Sequence, residues 1–147
     1  MELVSIVVLT YNSSKTVIET LDSIKKQTYR SLELIICDDH STDNTIELIR
    51  KWLKHNNSRF IKAKLIIKKK NHGISKNCNI GINQANGKYI QIISGDDILL
   101  EEAIEKKYKF AEKKSLNVVY AKIEAFGSNA LWVKKYNKIC ETNYRIV

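Results

Sequence analysis

Short β-branched runs alternate with stretches of helical period along this chain, and that alternation limits the possible folds more than any other feature. Leu3 to Thr10, LVSIVVLT, is almost uniformly apolar and too short for a helix, as a strand buried on both faces requires. After the turn residues Tyr11 to Ser14, Val17, Ile18, Leu21 and Ile24 step at helical spacing, with Thr16 and Glu19 placed for a capping box. That helix is expected to end near Gln27 and Thr28, and Leu32 to Cys37 supplies a second strand. From about Asn44 a helix carries Ile46, Ile49, Trp52 and Leu53 on one face until His55 to Ser58 break it. Lys64 to Lys69 reads as a third strand whose charged ends suit a sheet edge. Ile74, Cys78, Ile82 and Ala85 then mark one face of a helix closed by Asn86 and Gly87. Tyr89 to Ile93 is the fourth strand, Glu101 to Lys114 a helix with Ile104, Tyr108 and Ala111 inward, and Val118 to Ala125 a fifth strand. Such an order predicts a mainly parallel sheet with helices on both faces, a three-layer α/β/α domain. With 147 residues, no proline and no internal repeat, one domain over 1–147 is expected.

Two of the predicted strands end in acid. Ile35 to Thr45 reads IICDDHSTDNT, and Tyr89 to Ile93 leads into Ser94-Gly95-Asp96-Asp97. The carboxyl ends of strands are where open α/β sheets bind ligands. Because successive strand side chains point to opposite faces, Asp38 and Asp39 are expected to divide their work. One would face the crevice and the other would tie down the loop. A polar turn and helix cap would use the same residue types, so each acidic turn gains its weight from the other.

The dinucleotide fingerprint needs a glycine-rich turn after the first strand, and here that turn reads LTYNSS. No P-loop pattern occurs either. Carboxylates repel a diphosphate unless a divalent cation lies between, so a phosphate-bearing ligand here implies Mg²⁺ or Mn²⁺ at Asp96 or Asp97. Such an ion would also act as a Lewis acid on a leaving diphosphate.

Lysines and arginines outnumber acids by 25 to 16, a net charge of +9, which admits nucleic acid, lipid headgroups or a phosphorylated small molecule as partners. Most of the excess is lysine spread along helices, with one cluster at Lys68, Lys69 and Lys70. Scattered charge without an aromatic platform argues for a solvated surface and against nucleic acid. Cys37, Cys78 and Cys140 are odd in number and lack metal spacing, which fits a reducing cytoplasm. No stretch is long and apolar enough to span a membrane, and MELVSIVVLTYN reads as a first strand instead of a leader.

SIVVLTYNSSKTVIETLDSIKKQTYRSLELIICDDHSTDNT followed by GISKNCNIGINQANGKYIQIISGDD resembles the N-terminal half of a family 2 glycosyltransferase of the GT-A, Rossmann-like fold. The resemblance covers about Ser5 to Leu100 in unbroken order. It implies a nucleotide-sugar site in which Thr10, Tyr11 and Asn12 hold the nucleotide base. One of Asp38 and Asp39 would accept a hydrogen bond from a uracil-type base, and Asp96, with Asp97 beside it, would bind the metal. Three positions depart from the family pattern. Leu9 stands at a usual proline, and Ser94 replaces the first acid of the Asp-x-Asp motif. In Gly-x-Ser-x-x-Arg-Asn, Gly73, Ser75 and Asn79 match while Cys78 takes the arginine position, so Lys76 is the nearest substitute cation.

The resemblance further implies inverting transfer from a UDP-sugar to an acceptor hydroxyl, saccharide or lipid-linked, in the cytoplasm or at the inner membrane face. Acceptor site and catalytic base belong to the C-terminal half of such enzymes, so this chain is expected to be short of that part. The catalytic base is left unknown: Glu124 and Glu141 are carboxylates after the metal motif, in no matching pattern. A nucleotide-sugar-binding module without turnover is the alternative, and a nucleic-acid-binding protein, recognised by salt-sensitive affinity, is a further one.

Overall fold

The computed structural model describes residues 1–124 and Phe126. Its elements run β1 (Val4–Thr10), α1 (Val17–Lys25), β2 (Leu32–Asp38), α2 (Thr45–Asn56), a short 3-10 turn at Asn57–Arg59, β3 (Lys62–Ile67), α3 (Ile74–Asn83), β4 (Tyr89–Ser94) and α4 (Ala103–Lys114). The four strands form one sheet in the order β3-β2-β1-β4. Every pairing is parallel. β1 and β2 are buried along their whole length, which is why they read as continuous apolar runs.

Side-chain alternation divides the core. Val4, Ile6 and Val8 of β1 join Leu32, Leu34 and Ile36 of β2 against Val17, Leu21 and Ile24 of α1, Ile49 and Trp52 of α2, and Ile104 of α4. Val7, Leu9, Ile35 and Cys37 face the other way and meet Cys78, Ile80 and Ala85 in and just beyond α3. The three-layer α/β/α expectation therefore holds.

Four local expectations are corrected. β3 lies two residues earlier than Lys64 to Lys69, because the Lys68 side chain turns inward to a carboxylate instead of closing the strand at solvent. On α3 the buried positions are Asn77 and Gly81, whereas Ile74 is 69% exposed. Gly81 has no side chain to separate the helix from Val7 and Cys37, so the small residues, not the isoleucines, choose the inner face. Thr16 makes no capping box, since its hydroxyl donates to the Gly95 carbonyl at 2.8 Å. Residues 118–124 carry no strand, and Ala125 lies outside the described residues. Val118 and Val119 line a groove of about 400 Å³ between β4 and α4.

β1 sits between β2 and β4, so the strand order reverses beside it, the point where open parallel sheets form a ligand crevice. Register brings the right residues there: Thr10 pairs with Asp38, and Leu9 with Ser94. No helix among the described residues is long and apolar enough to cross a membrane.

Candidate functional site

Both carboxylates at the end of β2 are buried and bonded to different loops. Asp38 accepts hydrogen bonds from Thr10 Oγ1 at 2.8 Å, the Ser41 amide at 2.8 Å and Ser41 Oγ at 2.6 Å. It ties the end of β1 to its own turn. Asp39 forms an ion pair with Lys68 Nζ at 2.7 Å and accepts from the amides of His72 at 3.0 Å and Gly73 at 2.8 Å. Burial opposes its ionisation, but Lys68 and the two amides outweigh burial and hold the carboxyl below the usual range. Both acids therefore secure loops, a correction to the expectation that one of the two would face the crevice and only the other would tie down a loop.

The turn after β1 is fixed from the opposite strand end. Asn12 adopts a left-handed φ of 50°, tolerable for asparagine. Its amide donates to Ser41 Oγ at 2.9 Å, and its side-chain oxygen accepts from the Thr42 amide at 2.8 Å. Asp43 accepts from the Ser14 amide at 3.1 Å and from the Thr45 amide at 3.0 Å and hydroxyl at 2.5 Å. Those bonds overcome its desolvation and press its carboxyl far below the ordinary range. Tyr11, between these anchors, keeps its ring half exposed.

Across β1 the turn after β4 is equally constrained. The Gly95 amide donates to the Leu9 carbonyl at 2.8 Å. A Cβ on Gly95 would lie 3.0 Å from Thr10 Cγ2 and 3.1 Å from Ser13 Oγ, so the β1 and β4 loops touch at this residue. Asp96 and Asp97 stand exposed beyond it. Partial burial and the neighbouring Asp96 charge raise the Asp97 carboxyl above its usual value. A divalent cation would relieve that repulsion, and magnesium commonly takes one or two carboxylates with phosphate oxygens and water completing its shell. The described residues contain no cluster of three or more His, Cys, Asp or Glu able to hold a metal by themselves. The pair therefore fits a cation that arrives with a phosphate ligand.

Lys76 and Asn79 belong to α3. They are exposed on α3 and line an open depression of about 720 Å³ with Lys68, Lys69, Lys70, His72 and Ile80. Lys68 and His72 connect that depression to Asp39. Cys78 is part of the apolar layer beneath α3, so the position the family gives to arginine offers no cation here. Glu124 is exposed, and Glu141 lies outside the described residues. Lys68, Ser41, Asp43 and Thr45 are structural members of the site that sequence reasoning passed over. Asp43 and Thr45 sit inside the polar run after Asp39, and Lys68 is a lysine at the end of an apolar strand, the available signals for each.

The sequence model described as Glycosyl transferase family 2 matches residues 5–146. A relative from Escherichia coli, UDP-Glc:alpha-D-GlcNAc-diphosphoundecaprenol beta-1,3-glucosyltransferase WfaP, is 37% identical over 124 residues, covering 82% of this chain and 46% of the relative. Among solved structures, S. aureus TarS 1-349 in complex with UDP-GlcNAc superposes with a TM-score of 0.68 at 28% identity, covering 76% of this chain and 31% of TarS. The mannosyltransferase PcManGT of Pyrobaculum calidifontis, in complex with GDP-Man and Mn2+, gives 0.61 at 28% identity, covering 66% and 28%. The chain thus spans less than half the length of these proteins.

Proposed function

The chain belongs to glycosyl transferase family 2 and has its GT-A fold, and from that premise we propose that it forms the donor-binding part of a metal-dependent, inverting sugar transferase using a UDP-sugar. One observation carries the reading: at the β1/β4 switch point, an anchored Thr10–Asn12 turn backed by Asp38 and Asp39 faces an exposed Asp96–Asp97 pair. The half-exposed Tyr11 ring offers the nucleobase a stacking face. Among the described residues Asp39 Oδ2 accepts only the Gly73 amide, which leaves a lone pair for an N–H of the base. Asp96 would hold Mg²⁺ or Mn²⁺ with Asp97 beside it, and the bound ion supplies charge neutralisation for a departing diphosphate. Thr16 and the Gly95 amide fix the turn that carries both acids.

Inversion requires an acceptor hydroxyl to attack opposite the leaving diphosphate, with a carboxylate taking its proton. The family resemblance implies that this base follows the metal motif, on the acceptor side. The E. coli relative, named for a lipid-linked diphosphate acceptor, makes a lipid-linked saccharide at a cytoplasmic membrane face the favoured acceptor. Retention of donor binding without turnover is the second reading, favoured by Ser94 at the first acidic position. Release of UDP from UDP-glucose or UDP-GlcNAc would reject it.

Thermal unfolding tests the main reading. At a hundredfold excess over Kd a ligand stabilises by about 2.7 kcal/mol, a shift of several degrees. UDP with Mn²⁺ is expected to give that shift, with less from GDP and little from UDP in a chelator. No shift with any nucleoside diphosphate would overturn the reading.

A further inference from the structure

Beside the carboxyl end of β2 lies a surface of one charge. Two lysines of α4 meet acids: Lys106 pairs with Glu102 at 2.7 Å and Lys109 with Glu105 at 2.6 Å. Around the depression between the β3 end and α3 the pattern is different. Lys68 is neutralised by Asp39, whereas Lys69, Lys70 and Lys76 have no acidic partner among the described residues, and no acid lines the depression. Lys69 and Lys70 beyond β3 and Lys76 on α3 line one depression together with His72.

Apolar residues bracket the same segment. Ile67 is 38% exposed and Ile74 69% exposed, on either side of Lys68 to Gly73, and Ile80 lies in the depression itself. Exposed aliphatic side chains interleaved with unpaired lysines match a lipid interface, where shallow apolar insertion adds to attraction by anionic headgroups. The lining holds no Phe, Tyr or Trp on which bases would stack, which disfavours single-stranded nucleic acid.

We propose that the loop of Lys69 and Lys70, with Lys76, Ile67 and Ile74, docks this protein on a membrane surface rich in anionic phospholipid. The docking does not depend on the donor reading. Its use does: because Lys68 and His72 border both the depression and Asp39, docking here holds the donor crevice at the lipid surface, where a lipid-linked acceptor resides.

Co-sedimentation with phosphatidylcholine vesicles containing roughly a third phosphatidylglycerol tests this. Wild type is expected to bind, more weakly as salt rises, and not to bind pure phosphatidylcholine. Lys69→Glu/Lys70→Glu should reduce partitioning by at least about tenfold, since each lysine at such a surface contributes severalfold. Lys106→Glu/Lys109→Glu makes the same change in net charge on α4 and should stay within about twofold of wild type. Ile74→Ser should weaken binding without altering its salt slope. UDP binding and thermal unfolding of Lys69→Glu/Lys70→Glu should match wild type, which separates failure of docking from failure of the donor site. Equal loss in both double variants would overturn the proposal. So would absence of vesicle binding, or binding of a single-stranded oligonucleotide in its place.

Discussion

Asp39 and Lys68 form the most consequential residue pair in the described chain. Their side chains are 4% and 6% exposed and 2.7 Å apart, so removing either charge leaves the other buried and uncompensated. Asp39→Asn is therefore expected to cost about 3–5 kcal/mol of stability, well above an exposed ion pair's worth. Urea unfolding of the variant measures it; Lys26→Ala, exposed in the turn after α1, gives the scale for an ordinary surface substitution. The acids also set the response to pH. Asp39, Asp43 and Glu33 all have folded values below their unfolded ones, because bonds from Lys68, Thr45, Ser14, Ser5 and neighbouring amides outweigh desolvation. A carboxyl lowered in this way contributes stability fully above its unfolded value, about 4, and loses it as pH falls toward the folded value. The melting temperature should accordingly change little between about pH 6 and 8 and drop steeply below about pH 4. A melting temperature that rises on acidification would contradict this assignment. The acids themselves are legible in the sequence because they end an apolar run. Lys68 is not, since its partner lies 29 positions away and a lysine at a strand end has solvent as its ordinary place.

Among the elements, α3 shows how packing decides against periodicity. Its isoleucines at i, i+4 spacing outline a face, yet Asn77 and Gly81 are the residues turned to the sheet. Asn77 donates to the Cys37 carbonyl at 2.7 Å, and an added Cβ at Gly81 would fall on Val7 Cγ1. Gly81→Ala should thus destabilise by about 1–3 kcal/mol through overpacking, even though alanine favours a helix by about 1 kcal/mol. A shift of the urea midpoint to lower concentration at unchanged slope would check it, and a shift upward would refute it. The strands were readable for a different reason. β1 and β2 are covered on both faces, so their composition announces them, whereas residues 118–124 have the composition and are not a strand. Thr16 has the spacing of a cap, but its acceptor, the Gly95 carbonyl, is 79 positions away.

At the scale of the molecule, the β3-β2-β1-β4 order makes the crevice, and the two acidic turns reach it from opposite sides of β1. This much follows from alternation of elements and acidic strand ends, and the family match over residues 5–146 agrees with it. Lys76 and Asn79, which the family pattern assigns to the donor site, are exposed on α3 and border the basic depression that Lys68 and His72 join to Asp39. The acceptor side has no such signature: Glu124 is exposed without a strand end to present it, and the chain covers less than half of the relatives it matches. The central claim is that a diphosphate binds at the crevice through a cation held by Asp96. Calorimetric titration of the wild type and Asp96→Ala with UDP, with and without Mn²⁺, tests it most directly. The account predicts binding to the wild type in Mn²⁺ that weakens by at least about tenfold without the ion and in the variant, as loss of a charge-bearing contact entails, while the melting temperature of the free protein is unchanged. Equal UDP affinity in the variant and without the ion, or no affinity in the wild type, would contradict it.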